Sequence, residues 1–166
     1  MRILIDGYNL IRRVPELRAE DRSDIALGRE ALLQQLSAYR AGRGHRITVV
    51  FDGTASVHLG GSHETVRGVA ALYSPQGMSA DQVIRRMCRE NQADVVVSGD
   101  REITDAAERA GVTAVAPELF WDRVQEEMYR RLKGEEEEGE GRKVKGEGGR
   151  KLTRGQRRDR QRIAKL

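Results

Sequence analysis

Short apolar runs alternate along this chain with longer stretches in which apolar residues recur every three or four positions. Ile3-Leu4-Ile5, Thr48-Val49-Val50-Phe51, Asp94-Val95-Val96-Val97 and residues 112–115 are runs of the first kind. Successive apolar, often β-branched positions mark strands buried on both faces. Between them Ile25, Leu32, Leu36 and Tyr39 stand at helical spacing behind Ser23, which the pattern makes the N-cap, and Gly42 and Gly44 end that helix. A second helix is predicted from Ala80, because Ser79 and Gln82 stand three apart, as in a capping box, ahead of the stripe Val83, Ile84, Met87 and Cys88. A third covers residues 102–110 and closes at Gly111, and a fourth begins at Pro117 and carries Leu119, Phe120, Val124 and Met128. Residues 7–22 read as a polar loop, 53–63 as a loop rich in Gly and His, and 66–73 as one weaker strand. Strands and helices in this order specify an α/β domain with a mostly parallel central sheet.

The pattern stops after residue 132. Residues 133–152 are almost entirely Gly, Glu, Lys and Arg, which cannot bury a core and reads as a flexible charged linker. Residues 153–166 regain helical propensity, with Thr153 and Gln156 again at capping-box spacing. The residues between are mostly arginine, so the sequence predicts a helix that forms only against a polyanion. Charge follows the same division. The 166 residues carry 30 Lys and Arg against 26 Asp and Glu, for a net charge of +4. Residues 1–132 hold 18 basic against 19 acidic side chains, whereas the remainder holds 12 against 7 and all of the lysines.

A domain without lysine excludes a P-loop, which needs one on the β/γ-phosphates, and Schiff-base chemistry, which needs an amine. The single cysteine, Cys88, excludes a disulfide framework and a multi-cysteine zinc site, and it suits a reducing cytosol. Aromatic residues make up 4%, which argues against a broad base-stacking sheet. With no apolar leader and no run near the roughly 20 apolar residues of a membrane span, the expectation is a cytoplasmic protein without a membrane partner.

Acidic residues close three of the predicted strands: Asp6, Asp52 and, three residues beyond Val97, Asp100. Asp81 stands in the first turn of the Ala80 helix. A parallel sheet brings strand carboxyl ends and helix N-termini to one edge, so the four carboxylates are expected to converge there. Close carboxylates repel unless protons or cations neutralise them, and hard oxygen donors favour Mg²⁺ or Mn²⁺. Such ions support in-line attack on a phosphodiester. Each acid also has a plainer reading, since Asp81 suits a helix N-terminus and Asp100 suits a cap. Arg12 and Arg13 near Asp6, and Arg85 one turn after Asp81, are candidates for holding phosphates. In the tail Arg154, Arg157, Arg158, Arg160 and Arg162 could give salt-dependent affinity for RNA.

Ile-Asp-Gly-Tyr-Asn at 5–9, Val-Val-Phe-Asp-Gly at 49–53, Ser-Ala-Asp at 79–81 and Val-Val-Ser-Gly-Asp at 96–100 together resemble the YacP-like group of NYN domains, within the PIN-like nuclease superfamily. The resemblance covers about residues 1–130 and implies a three-layer PIN-like fold over 1–132. It also implies a metal-dependent endoribonuclease, with Asp6, Asp81 and Asp100 as catalytic metal ligands and Asn9 orienting substrate or a ligand. Asp52 would be an accessory acid, and Glu102 or Asp105 would be the further acid found after Ser-Gly-Asp. The implied partners are mRNA and the ribosome, in mRNA decay. A rival reading is a non-catalytic RNA- or ribosome-binding adaptor on the same fold.

Overall fold

The computed structural model describes residues 1–53, 62–132 and 154–166. Its first strand, β1 (Arg2–Asp6), leads into three helices: α1 (Gly7–Arg13), α2 (Pro15–Ser23) and α3 (Ile25–Arg43). Then come β2 (Arg46–Phe51), the hairpin β3 (Ser62–Val66) and β4 (Val69–Tyr73), α4 (Ala80–Arg89), β5 (Val95–Val97) and α5 (Arg101–Arg109). The chain continues through β6 (Thr113–Val115) and α6 (Pro117–Leu132) to α7 (Arg154–Ile163). One sheet in the order β3-β4-β2-β1-β5-β6 runs through the middle, parallel except for β3.

Alternation along each strand divides the core. Ile3, Ile5, Val49, Phe51, Val95 and Val97 pack against α1, α3 and α6, while Leu4, Val50 and Val96 pack with Ile84, Cys88 and Ile103 of α4 and α5. These are the three layers expected of the fold. The predicted capping box is present: Ser79 Oγ accepts from Gln82 N at 3.2 Å, and Gln82 Oε1 accepts from Ser79 N at 3.0 Å. Gly44 and Gly111, at φ +67° and +71°, close α3 and α5 in the left-handed region. Cys88 is a core residue, and burial pushes its thiol up to about 11, so it is a packing group rather than a reactive one.

Four expectations need correction. Residues 7–22 are helical rather than loop. Leu10, Ile11, Val14 and Leu17 supply an apolar face, which Gly7, Asn9 and Pro15 disguised as turn chemistry. Val14 is extended at φ −98° and ψ 115°, as a residue before proline must be, and Pro15 then opens α2 at its first turn. The N-cap of α3 is Asp24, whose Oδ1 accepts from Ala26 N at 2.7 Å, and Ile25 is half exposed instead of core. The span 66–73 is one turn and one strand of a hairpin. Arg67 and Gly68, at φ +47° and +87°, make the tight reversal that right-twisted strands require.

The fourth correction concerns the basic segment. Helix α7 forms against the protein itself, packed beside β6 at the amino-terminal edge of the sheet. Asp159 accepts from Thr113 Oγ1 at 2.7 Å, and Arg162 donates to the carbonyls of Asp94 and Gly111 at 2.9 and 3.2 Å. Leu166 is 1% exposed within the larger core, and its carbonyl accepts from the Tyr39 hydroxyl. An apolar anchor at the end of the segment therefore offsets the cost of ordering a polar helix. Leu166→Ala is expected to lower unfolding stability by about 2 kcal/mol, the low end of the range for a buried leucine. Urea denaturation checks this, and an unchanged midpoint would remove α7 from the cooperative unit.

Candidate active site

In this sheet β2 and β4 succeed β1 on one side while β5 and β6 lie on the other, so the winding direction reverses between β1 and β5. Open α/β sheets bind ligands at that point, beyond the carboxyl ends of the strands. Asp6 ends β1 there, and Ser98, Gly99 and Asp100 follow β5.

Asp6 is 6% exposed. Its Oδ2 accepts from Ser98 Oγ at 3.0 Å, and its Oδ1 caps α1 by accepting from Asn9 N at 3.2 Å. Burial pushes the Asp6 carboxyl up to about 6, the two hydrogen bonds pull it back, and the charges of Asp81 and Asp52 add to the rise. Ser98 Oγ also accepts from the Asp100 main-chain N at 3.1 Å, so one hydroxyl links the Asp6 carboxylate to the backbone that carries Asp100. Asn9 Oδ1 accepts from Gly99 N at 2.8 Å and fixes the loop after β5 against α1.

Asp52 turns its Oδ1 to Ala80 N at 2.7 Å, at the start of α4. The chain just beyond it is tight. A Cβ on Gly53 would lie 2.1 Å from the Ser74 carbonyl oxygen, and Gly53 N donates to Ser74 Oγ at 2.9 Å. Asp81 is half-buried, and its carboxyl is raised first by burial and then by the charges of Asp100 and Asp52, against Arg85 and with a contribution from Glu102. Asp100 caps α5, its Oδ1 accepting from Glu102 N at 2.7 Å and Ile103 N at 3.3 Å. Asp105 is exposed a turn further along α5. Of the two candidates for the further acid, Glu102 is the one whose charge reaches Asp81.

The carboxylates therefore share one edge and one electrostatic field. They do not close into a cage: among the described residues no three Asp, Glu, His or Cys side chains enclose a metal position. Helix amides hold an oxygen of Asp6, Asp52 and Asp100, and that leaves these acids spaced apart. An all-oxygen set of this kind fits Mg²⁺ or Mn²⁺ as those ions are commonly held, by one or two carboxylates with water and substrate phosphate completing the shell.

The arginines separate by environment. Arg13 pairs with Glu118 at 3.4 Å and Arg85 with Glu102 at 2.9 Å, both at partly exposed positions. Arg12 is exposed on α1 with its guanidinium 5.8 Å above the Tyr8 ring. Arg157, Arg158 and Arg160 are exposed on α7, but Arg158 donates to the Gly111 carbonyl at 3.1 Å and Arg162 is turned into the protein. The Arg154 side chain lies outside the described residues. Helix α7 and the acids are thus at opposite edges of the sheet. Ser98 and Ser74 carried no assignment from the sequence. Ser98 stands inside the Ser-Gly-Asp run, but only the fold shows that its hydroxyl bridges the Asp6 carboxylate and the Asp100 amide.

A three-layer α/β fold with acids along one edge at its switch point, Asp6 buried among them, is that of a PIN-like nuclease domain. The chain belongs to the YacP-like NYN domain family, whose model matches residues 3–164 and so includes α7. It is 28% identical over 87 residues to the uncharacterised protein YacP of Bacillus subtilis, a match covering 52% of this chain and about half (51%) of that relative's length. Its fold resembles the crystal structure of a mutant Rae1 (YacP) from Bacillus subtilis, with TM-score 0.65 and 22% identity over 82% of this chain and 85% of that one. A second Rae1 (YacP) structure gives TM-score 0.63 over 81% and 80%.

Proposed function

We propose that this protein is a Mg²⁺- or Mn²⁺-dependent endoribonuclease that cleaves RNA phosphodiester bonds, acting in ribosome-associated mRNA decay. One observation carries the reading: Asp6, buried at the switch point, is joined through Ser98 to the backbone amide of Asp100 and feels the charges of Asp81 and Asp52. A buried acid kept among other acids destabilises a metal-free fold, and such an arrangement is characteristic of functional sites. Asp6, Asp81 and Asp100 would hold the cation, with Asp52 and Glu102 adding negative field. A hard divalent cation supplies Lewis-acid polarisation of the phosphodiester and neutralises charge growing on its oxygens. The protein's own part is positional. Ser98 and Asn9 fix Asp6 and the Asp100 loop, the N-caps at Asp6 and Asp100 hold those two carboxylates, and Ala80 N holds Asp52.

The experiment is cleavage of a structured mRNA by purified protein with Mn²⁺ or EDTA, with and without ribosomes, beside Asp6→Asn and Asp81→Asn. Cleavage that needs the cation and both acids supports the reading, and undiminished metal-dependent cleavage by both variants overturns it. Ser98→Ala removes a positioning residue. It should lower the cleavage rate about 10–100-fold while costing the fold only about 1 kcal/mol. Because the Ser98 hydrogen bond lowers the Asp6 pKa, its loss should also move the acid limb of the rate profile to higher pH. A rate loss with no shift of that limb would separate Ser98 from Asp6.

The adaptor reading retains one supporting observation, the spacing of the acids without a closed cage. It predicts RNA binding without cleavage and no heat of Mn²⁺ binding that depends on Asp6.

A further inference from the structure

At the carboxyl ends of β1, β2 and β4, on the α3 side of the acids, three of the chain's seven aromatic residues form one row. Phe51 is fully buried at its centre. The Tyr8 ring meets Phe51 edge-on at 5.3 Å and 66°, and Tyr73 stacks on it at 5.6 Å and 24°. The Tyr73 hydroxyl donates to Glu64 Oε1 at 2.6 Å, which locks that ring. Two guanidinium groups sit over the row: Arg12 5.8 Å from the Tyr8 centroid, and Arg29 of α3 5.7 Å from the Tyr73 centroid. Arg29 also donates to the Tyr8 hydroxyl at 3.4 Å.

Among the described residues neither Arg12 nor Arg29 is in an ion pair, in contrast to Arg13 and Arg85. Both cations are instead held by ring faces, which attract a guanidinium without cancelling its charge. A guanidinium lying on an aromatic ring keeps N–H groups for a phosphate and an outer face on which a base can stack. The row adjoins the acids through the chain itself: Tyr8 is two residues from Asp6, Phe51 precedes Asp52, and Phe51 pairs with Tyr73 across β2 and β4.

We propose that Arg29 and Arg12, mounted on Tyr73 and Tyr8, form the subsite that seats the backbone of an unpaired RNA segment beside the carboxylates. Resting on the nucleic-acid reading above, this inference adds the residues that would seat the substrate. A stacked base must come from outside a duplex, so the subsite favours single-stranded RNA. It also concentrates in one place the stacking surface that overall composition argues against.

The test measures fluorescence anisotropy of a short labelled oligouridylate and of an RNA duplex of equal length, in EDTA so that cleavage plays no part. Arg29→Gln should weaken oligouridylate binding about tenfold and flatten the slope of log K against log salt by about 0.7. Duplex binding and the unfolding temperature should stay unchanged. Tyr8→Phe, which keeps the ring and removes the hydroxyl that accepts from Arg29, should give a smaller loss of the same kind. Wild-type binding that Arg29→Gln leaves intact in affinity and salt slope overturns this inference and spares the nuclease reading. Equal weakening on duplex and single strand also overturns it, leaving Arg29 as a general charge. A wild-type protein that binds neither RNA overturns the inference together with the reading beneath it.

Discussion

Asp6→Asn is expected to remove activity and stabilise the metal-free fold at the same time. Under the proposed function, loss of a carboxylate that would hold the cation should lower cleavage on the order of 10³-fold, equivalent to several kcal/mol of transition-state stabilisation. The stability effect follows from the raised pKa. Burial lifts Asp6 from 3.8 to about 6, so the folded state binds its proton more tightly than the unfolded chain does. That preference favours the fold at pH below about 4 and is lost as pH rises through 6. At neutral pH ionised Asp6 therefore costs about 3 kcal/mol, a figure set by the two pKa values. Asparagine avoids that cost but forfeits about 1 kcal/mol where Ser98 must reorient its hydroxyl. Urea melts in EDTA should then show the variant about 1–2 kcal/mol more stable at neutral pH, with the difference gone near pH 4. Added Mn²⁺ should raise the wild-type midpoint and leave the variant unmoved. A variant less stable than wild type at neutral pH would mean that Asp6 is chiefly a helix cap.

Phe51→Ala carries the largest expected cost to folding, about 3–5 kcal/mol, in the range for a fully buried aromatic ring. The ring does more than fill volume. A Cβ on Gly7 would lie 2.3 Å from Phe51 Cε1, so Gly7 is glycine because this ring occupies the space beside it. Removing the ring therefore also loosens the turn from Asp6 into α1 and the support beneath Tyr8 and Tyr73. The pairing can be measured directly. Gly7→Ala alone should destabilise by about 1–3 kcal/mol through overpacking, and less in a Phe51→Leu background. Strict additivity of the two changes would show that the contact has no energetic weight.

Strands β1, β2, β5 and β6 were legible because each is a continuous apolar run, and α4 because its capping box precedes a clean stripe. The early helices were not. Their apolar face of Leu10, Ile11, Val14 and Leu17 is interrupted by Pro15, and Gly7 and Asn9 look like turn residues when they are in fact the first turn of a capped helix. The hairpin was hidden for a related reason: Arg67-Gly68 lacks the Asn-Gly or Asp-Gly signature, and its tight reversal shows only in the positive φ values. The acids stood out in sequence because four motifs each contain one. Ser98 and Arg29 did not, since a serine within a loop and an arginine on a helix are unremarkable until their neighbours are known.

By itself the sequence determined the class of fold and the edge at which acids gather, because period and strand order are local properties and parallel strands must share their carboxyl ends. Only the tertiary structure decided how those acids are held, which arginines are free of ion pairs, and where the basic segment goes. Such facts depend on contacts between residues far apart in the chain, such as Ser98 with Asp6, Arg29 with Tyr73 and Leu166 with Tyr39. No periodicity encodes contacts of that kind, since burial and pairing energies are settled only when the layers close.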